Sequence, residues 1–178
     1  LENQKHLLIR FLTDNKIDIM LIQETHFTRR IQDWRIPNYL VHRLDRDGRP
    51  KGGLLIVIKK DFPTKPITIP PLRSLEALGI QLLTPGVPLI LITGYRSPAT
   101  VLKPNDFDII ANLGPKLILA GDLNAKHAEW HSKVNNEAGD VLHDYLGTSP
   151  YIITAPRDPT HYPKFGGRPD ILDVALSK

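Results

Sequence analysis

The 178-residue chain has no cysteine and a single methionine. Without cysteine there are no disulfides, no thiolate metal sites and no thiol nucleophile, a composition compatible with a reducing compartment. No apolar run reaches the length that spans a bilayer. The opening Leu1-Glu2-Asn3-Gln4-Lys5 lacks the hydrophobic centre of a signal peptide. There is no Gly-x-Ser-x-Gly, which removes the usual support for a serine nucleophile. Gly52-Gly53 opens a strand pattern and Gly166-Gly167 has no Lys-Ser/Thr after it, so a phosphate-cradling glycine loop is missing as well. What remains is 41% hydrophobic and 24% charged, ordinary for a globular chain, and long enough for one domain, 1–178, with a full core. The net charge of +4 is a weak lean toward an anionic partner.

Periodicity places the elements. Leu7, Leu8, Phe11 and Leu12 recur at helical spacing over Gln4–Asn15, followed by a strand over 18–23. Further strands are expected near 38–43, 53–58 and 76–83. Thr84-Pro85-Gly86-Val87 has Pro then Gly at its central positions, which predicts a type II turn joining 76–83 to 88–94 as an antiparallel hairpin. A helix starting at Pro104-Asn105-Asp106 feeds a strand over 116–121. A helix over Glu137–Leu146 turns Val141, Leu142 and Tyr145 inward, and short strands follow near 151–154 and 171–176. Helices mixed with antiparallel pairs predict an α/β fold with a mixed, layered sheet arrangement.

The most informative stretch is Lys116 to His127. An apolar strand stops at Gly121 and sets Asp122 and Asn124 two residues apart, so both address one side of an extended chain. Two other apolar strands end in capable groups, one at Gln23-Glu24-Thr25 and one at Gly94-Tyr95-Arg96. Polar groups gathered at strand ends are how an α/β domain builds a metal-assisted site. Each has a plainer reading: Glu24 as a solvated carboxylate, Tyr95 as a half-buried phenol, Asp173 as a helix cap or buried ion pair, Asp170 as a turn residue. His127 and His131 are four apart, a spacing that suits zinc on a helix. The zincin pattern, however, needs Glu where Ala128 stands, and neither Asn135 nor Asn136 completes the site. The run Thr28-Arg29-Arg30, His42-Arg43, Arg46, Arg49, Lys51 and Lys59-Lys60 fits a nucleic-acid surface and a solvated face equally.

Taken in order, Leu21-Ile22-Gln23-Glu24-Thr25, Gly94-Tyr95-Arg96-Ser97-Pro98, Gly121-Asp122-Leu123-Asn124-Ala125 and Leu172-Asp173-Val174-Ala175-Leu176-Ser177 resemble the endonuclease/exonuclease/phosphatase superfamily. Asn124-Ala125-Lys126-His127-x-x-Trp130, Gly139-x-x-Leu142 and Pro159-Thr160-His161-Tyr162 resemble the apurinic-type endonuclease domain of jockey-like insect non-LTR retrotransposons. The resemblance covers the whole chain. It implies a four-layer α/β sandwich of two mixed sheets flanked by helices, with the terminal strands missing. It also implies Mg²⁺-dependent (or Mn²⁺-dependent) nicking of DNA to leave a 3′-hydroxyl. That end would prime a reverse transcriptase domain further along the same polyprotein, inside the cell and in the nucleus when the target is cut.

By position, the resemblance makes Glu24 the metal ligand. Asp122 aligns or deprotonates the attacking water or protonates the leaving oxygen, Asn124 holds water and phosphate, and Tyr95 donates to the phosphoryl group. Asp173 orients the family's catalytic histidine. Arg29, Arg30, Lys51, Arg96 and Lys126 are the expected DNA contacts. The family's Asn-x-Asn-Gly strand would end where Leu1 begins, and its Ser-Asp-His strand would follow Lys178. None of His6, His26, His42, His127, His131, His143 or His161 stands in the matching place. The chain as it stands is therefore expected to hold its metal loosely and to nick slowly or not at all. Two other readings stay open: a phosphatase or phosphodiesterase of the same superfamily, and a non-catalytic DNA-binding remnant.

Overall fold

Alternating apolar residues send the two faces of the central strands into different cores, and this stacks the chain into four layers. The computed structural model describes residues 1, 4–27, 34–46, 52–163 and 166–178. Strands β1 (Ile19–Gln23), β2 (Tyr39–Leu44) and β3 (Leu54–Lys59) form an antiparallel sheet in the order β1-β3-β2. Strands β4 (Thr64–Pro66), β5 (Glu76–Leu82), β6 (Leu89–Tyr95), β7 (Leu117–Asp122), β8 (Ile152–Thr154) and β9 (Asp173–Ser177) form a second sheet in the order β4-β5-β6-β7-β9-β8. In it β6 and β7 run parallel and the other neighbours antiparallel.

Helix α1 (Lys5–Asp14) lays Leu8 and Leu12 on Leu55 and Val57 of the first sheet. Helices α2 (Pro104–Ala111) and α3 (Glu137–Leu146) cover the outer face of the second sheet, packing Phe107, Ile110 and Leu142 on Ile92, Leu117 and Leu119. Between the sheets lie Ile56, Ile58, Ile80, Leu82 and Leu91, with Ile19, Leu21 and Ile118 against them. The order helix, sheet, sheet, helices is the four-layer sandwich expected. Among the described residues no helix is long and apolar enough to cross a membrane.

Most expected elements form within a residue or two of their places. Gly86 takes φ +81° in the hairpin connection, the left-handed value a type II turn needs at its second central residue. In α3, Leu142 is buried and Val141 and Tyr145 pack partly buried against the same core. Two elements were not anticipated: the three-residue edge strand β4, which ends in Pro66, and a 3₁₀ turn at Ala128–Trp130. Both are too short for a period to show. The last strand begins at Asp173, not Ile171, because Ile171 and Leu172 are drawn into the core before pairing starts.

Helix α3 meets the loop after β7 backbone to backbone. A Cβ on Gly139 would lie 1.7 Å from the carbonyl oxygen of Lys126. Gly139→Ala is therefore expected to push that loop off the helix and to destabilise the fold by roughly 1–3 kcal/mol in denaturant unfolding. A change below about 0.5 kcal/mol would show that the contact is not tight.

Candidate active site

The site assembles from strand register. Tyr95, the last residue of β6, pairs with Asp122, the last of β7, and Asp122 pairs with Asp173, the first of β9. Paired residues share a sheet face, so the three side chains stand in a row at one end of the gap between the sheets. The other sheet supplies Glu24, just past β1. The Tyr95 hydroxyl donates to Glu24 Oε1 at 2.8 Å, and one residue earlier Gln23 Nε2 donates to Thr93 Oγ1 at 2.8 Å. Gly121 is required: a Cβ there would fall 2.1 Å from the Gly94 carbonyl oxygen. Glu24 (φ +51°) and Asn124 (φ +48°) both occupy the left-handed region, unusual for side chains other than glycine. The Glu24 turn is held by Thr25 N–H to Gly53 O at 3.2 Å and His26 N–H to Gly52 O at 2.9 Å.

Burial and negative neighbours set the electrostatics. The Asp122 carboxyl is pushed up to about 6, first by burial and then by the charges of Asp173 and Glu24; the Asn124 amide (2.9 Å) and His161 pull the other way. The Tyr95 phenol rises to about 12, through burial, its bond to Glu24 and the charges of Glu24 and Asp122, so it stays a proton donor. Asn124 is partly committed: its side-chain amide donates to the Arg96 carbonyl at 2.8 Å. Among the described residues no group of three or more His, Cys, Asp or Glu side chains gathers closely enough to hold a metal by itself. Glu24, Tyr95, Asp122 and Asp173 thus stand together at one end of the two sheets, with Asn124 beside Asp122. Asp173 caps no helix and has no ion-pair partner among the described residues; it is half-buried and opens a strand.

The basic positions divide differently. Arg96 is 3% exposed, and its guanidinium donates to the carbonyls of Leu123 (2.7 Å), Asn124 (2.8 Å), Ser97 and Thr100. This corrects its expected place as a DNA contact, because its donors are spent inside the protein. Lys126 binds Asp170 at 3.1 Å. Asp170 is no turn residue either: it is buried and also accepts from the amides of Lys133 and Ile171. Burial opposes its charge, but those amides and Lys126 outweigh it and hold the carboxyl below its ordinary value. Arg29, Arg30 and Lys51 lie outside the described residues. Of the cationic run, Arg43 pairs with Asp45, Arg46 with Glu76 and Lys59 with Asp18.

The Ala-Lys-His-x-x-Trp stretch is scaffold. His127 Nδ1 accepts from the Glu129 amide and caps the 3₁₀ turn, Trp130 Nε1 donates to Ala125 O at 2.9 Å, and the His127 ring stacks on His143 at 4.2 Å. His131 leaves that turn at φ +68°, so the two histidines do not share a helical face for zinc. Sequence reasoning passed over Thr160 and His161. Thr160 Oγ1 accepts from the amides of Leu172 and Asp173 at 3.0 and 3.1 Å, and His161 bridges Asp170 and acts on Asp122 by its charge. The Pro-Thr-His-Tyr motif was the available signal, but nothing in its spacing points to the cleft.

The Endonuclease/Exonuclease/phosphatase family model matches residues 1–178. The RNA-directed DNA polymerase from mobile element jockey of Drosophila melanogaster is 32% identical over 154 residues, which covers 85% of this chain and 17% of that protein. The probable RNA-directed DNA polymerase from transposon X-element of the same species is 28% identical over 173 residues, covering 94% of this chain and 19% of that one. The chain thus spans less than a fifth of these relatives' length. Among solved structures, the endonuclease domain of TRAS1, a telomere-specific non-LTR retrotransposon, superposes with a TM-score of 0.78 at 23% identity, covering 97% of this chain and 78% of that one. An AP endonuclease from Archaeoglobus fulgidus gives 0.61 at 14% identity, covering 99% and 82%. These two likenesses establish the fold.

Asp122 makes a testable cost. Its folded value lies above the ordinary 3.8, so the stability it contributes is complete below that value and lost as pH rises through about 6. In chelator-containing buffer Asp122→Asn is expected to stabilise the fold by about 2–3 kcal/mol near pH 7.5 and to change it little near pH 4. Chemical denaturation at the two pH values checks this, and equal differences at both would contradict the assigned shift.

Proposed function

Because the chain belongs to the endonuclease/exonuclease/phosphatase family, we propose that it is the DNA-nicking domain of a non-LTR retrotransposon polyprotein. The observation that carries the reading is the Tyr95–Glu24 hydrogen bond, which closes the ends of both sheets around Asp122 and Asn124. The names of the jockey and X-element relatives support this source and are consistent with a reverse transcriptase domain further along the same polyprotein. The product would be a 3′-hydroxyl that primes synthesis, made in the nucleus.

The donor set fits Mg²⁺ or Mn²⁺. Glu24 is an exposed carboxylate with one oxygen on Tyr95, and the acids beside it raise Asp122, a field that a nearby cation would relieve. Mg²⁺ accepts one or two carboxylates and keeps its waters, which suits a site where the described residues form no three-acid cluster. Bound there by Glu24, it would supply Lewis-acid stabilisation of phosphoryl charge. The chain's own groups do the rest. Asp122 has a value near operating pH and is ionised at neutrality, as a general base for water should be. Tyr95 keeps its proton and can donate to a phosphoryl oxygen in place of Glu24. Asn124, fixed by Asp122 and Arg96, presents the remainder of its carboxamide to water or phosphate. Asp173 adds negative charge beside Asp122 and would orient a histidine brought to it. Of the histidines described, only His161 acts on Asp122, and it is exposed, so the chain by itself would nick slowly.

The test is relaxation of supercoiled plasmid with Mg²⁺. The chain is expected to produce nicked circles, to stop when EDTA is added, and to lose about 100- to 10,000-fold in rate in Asp122→Ala. Hydrolysis of a small phosphomonoester with intact plasmid would turn the reading to a phosphatase. Binding without any metal-dependent cut would turn it to a DNA-binding remnant.

A further inference from the structure

A second recess opens beside Tyr95. It measures about 150 Å³ and is lined by Arg46, Arg73, Glu76, Tyr95, Ser97 and Thr100. Its two walls are the loops 73–76 and 97–100, and buried ionisable residues fix both. Asp106, fully buried, accepts from the amides of Arg73 (3.0 Å), Ser74 (2.6 Å) and Leu75 (3.2 Å) and from the Ser74 hydroxyl (2.7 Å). Arg96 holds the opposite wall through the carbonyls of Ser97 and Thr100. Ser74 Oγ accepts from the Lys103 amide at 3.0 Å and ties one wall's support to the other. A charged carboxylate taking four donors is a strong anchor, so the recess is held open before anything enters it.

Its charge is not balanced. Arg46 pairs with Glu76, and Glu76 Oε2 also accepts from Gly53 N–H at 3.4 Å. Arg73 is exposed and has no ion pair among the described residues. Among the described residues that line it, two guanidiniums against one carboxylate leave a single positive charge, beside hydroxyl-bearing Ser97 and Thr100. A monoanion with several acceptor oxygens matches that, and arginine is the side chain suited to paired contacts with phosphate. The recess shares Tyr95 with the cleft, on the side of Tyr95 that faces β5, whereas Asp122 lies on the β7 side. We infer that it seats the phosphodiester next to the scissile one on the cut strand, with Arg73 as its principal charge partner. The inference rests on the nicking function above and adds a register: the strand enters across Tyr95.

The experiment measures binding of a short labelled DNA duplex in EDTA as a function of salt, for the unaltered chain, Arg73→Ala and Arg73→Lys. Loss of one phosphate contact is expected to reduce the slope of log affinity against log salt by about one in Arg73→Ala, equally for unrelated sequences. Arg73→Lys should keep the slope, and thermal unfolding should be the same for all three. Duplexes carrying one neutral methylphosphonate then locate the contact. The linkage beside the bond cut with Mg²⁺ should weaken the unaltered chain and have no further effect on Arg73→Ala. If the duplex binds but Arg73→Ala keeps the full slope, or the phosphonate and the substitution weaken binding additively, the recess is not a phosphate seat while the nuclease reading stands. If the duplex does not bind at all, both fall together.

Discussion

Arg96 donates to four backbone carbonyls from a position with almost no access to water, and the site depends on that arrangement. Two of the carbonyls belong to the loop after β6 and two to the stretch after β7. One planar group therefore fixes where both strands hand over to irregular backbone. Burial lowers its affinity for the proton, and the charge of Asp122 partly restores it. A cation is a demanding choice for this role, because an uncompensated buried charge is costly. Its merit is directional: the fork of a guanidinium can satisfy several carbonyls at once. Asn124 answers it, giving its own carbonyl to Arg96 and its amide to the carbonyl of Arg96, so the pair is locked in both directions.

What the sequence made legible followed from period and strand ends. The apolar alternation in β6 and β7, the Pro-Gly connection and the helix at Glu137 each have a local cause, and each formed where expected. The convergence of Glu24, Tyr95 and Asp122 was readable from strand ends alone. Arg96 was misread because a basic residue between Tyr95 and Ser97 looks like a surface group; nothing local says that four carbonyls will curl around it. Asp170 was misread for the same reason, since its partners Lys126 and Lys133 come from some forty residues away. Asp106 escaped notice because at a helix start an acid already has an ordinary explanation, and its real work is on a loop thirty residues upstream.

The jockey-like stretch from Asn124 to Trp130 illustrates how a signature can be diagnostic without being chemical. Ala125 is buried, Lys126 and His127 are engaged in holding the loop, and Trp130 anchors it. Gly139 completes the joint by letting a helix touch the loop's backbone. The candidate reacting groups are few and the residues that position them are many. The left-handed backbone at Glu24 and Asn124 belongs to the same economy, with conformational cost accepted at the two positions where side chains must leave a strand end at an unusual angle.

The site also straddles a seam. Glu24 belongs to one sheet; Tyr95, Asp122 and Asp173 belong to the other. At this end the two sheets are tied by directional contacts, Gln23 to Thr93, Tyr95 to Glu24, and Glu76 to Arg46 and the Gly53 amide, while the apolar core between them is non-directional. Aliphatic faces tolerate a small slide that hydrogen bonds do not. Warming or mild denaturant can therefore shear the sheets and part Glu24 from Tyr95 while every strand remains paired with its neighbours. Competence would then fade ahead of unfolding, and a protein that looks native by its secondary structure could already be out of register for chemistry.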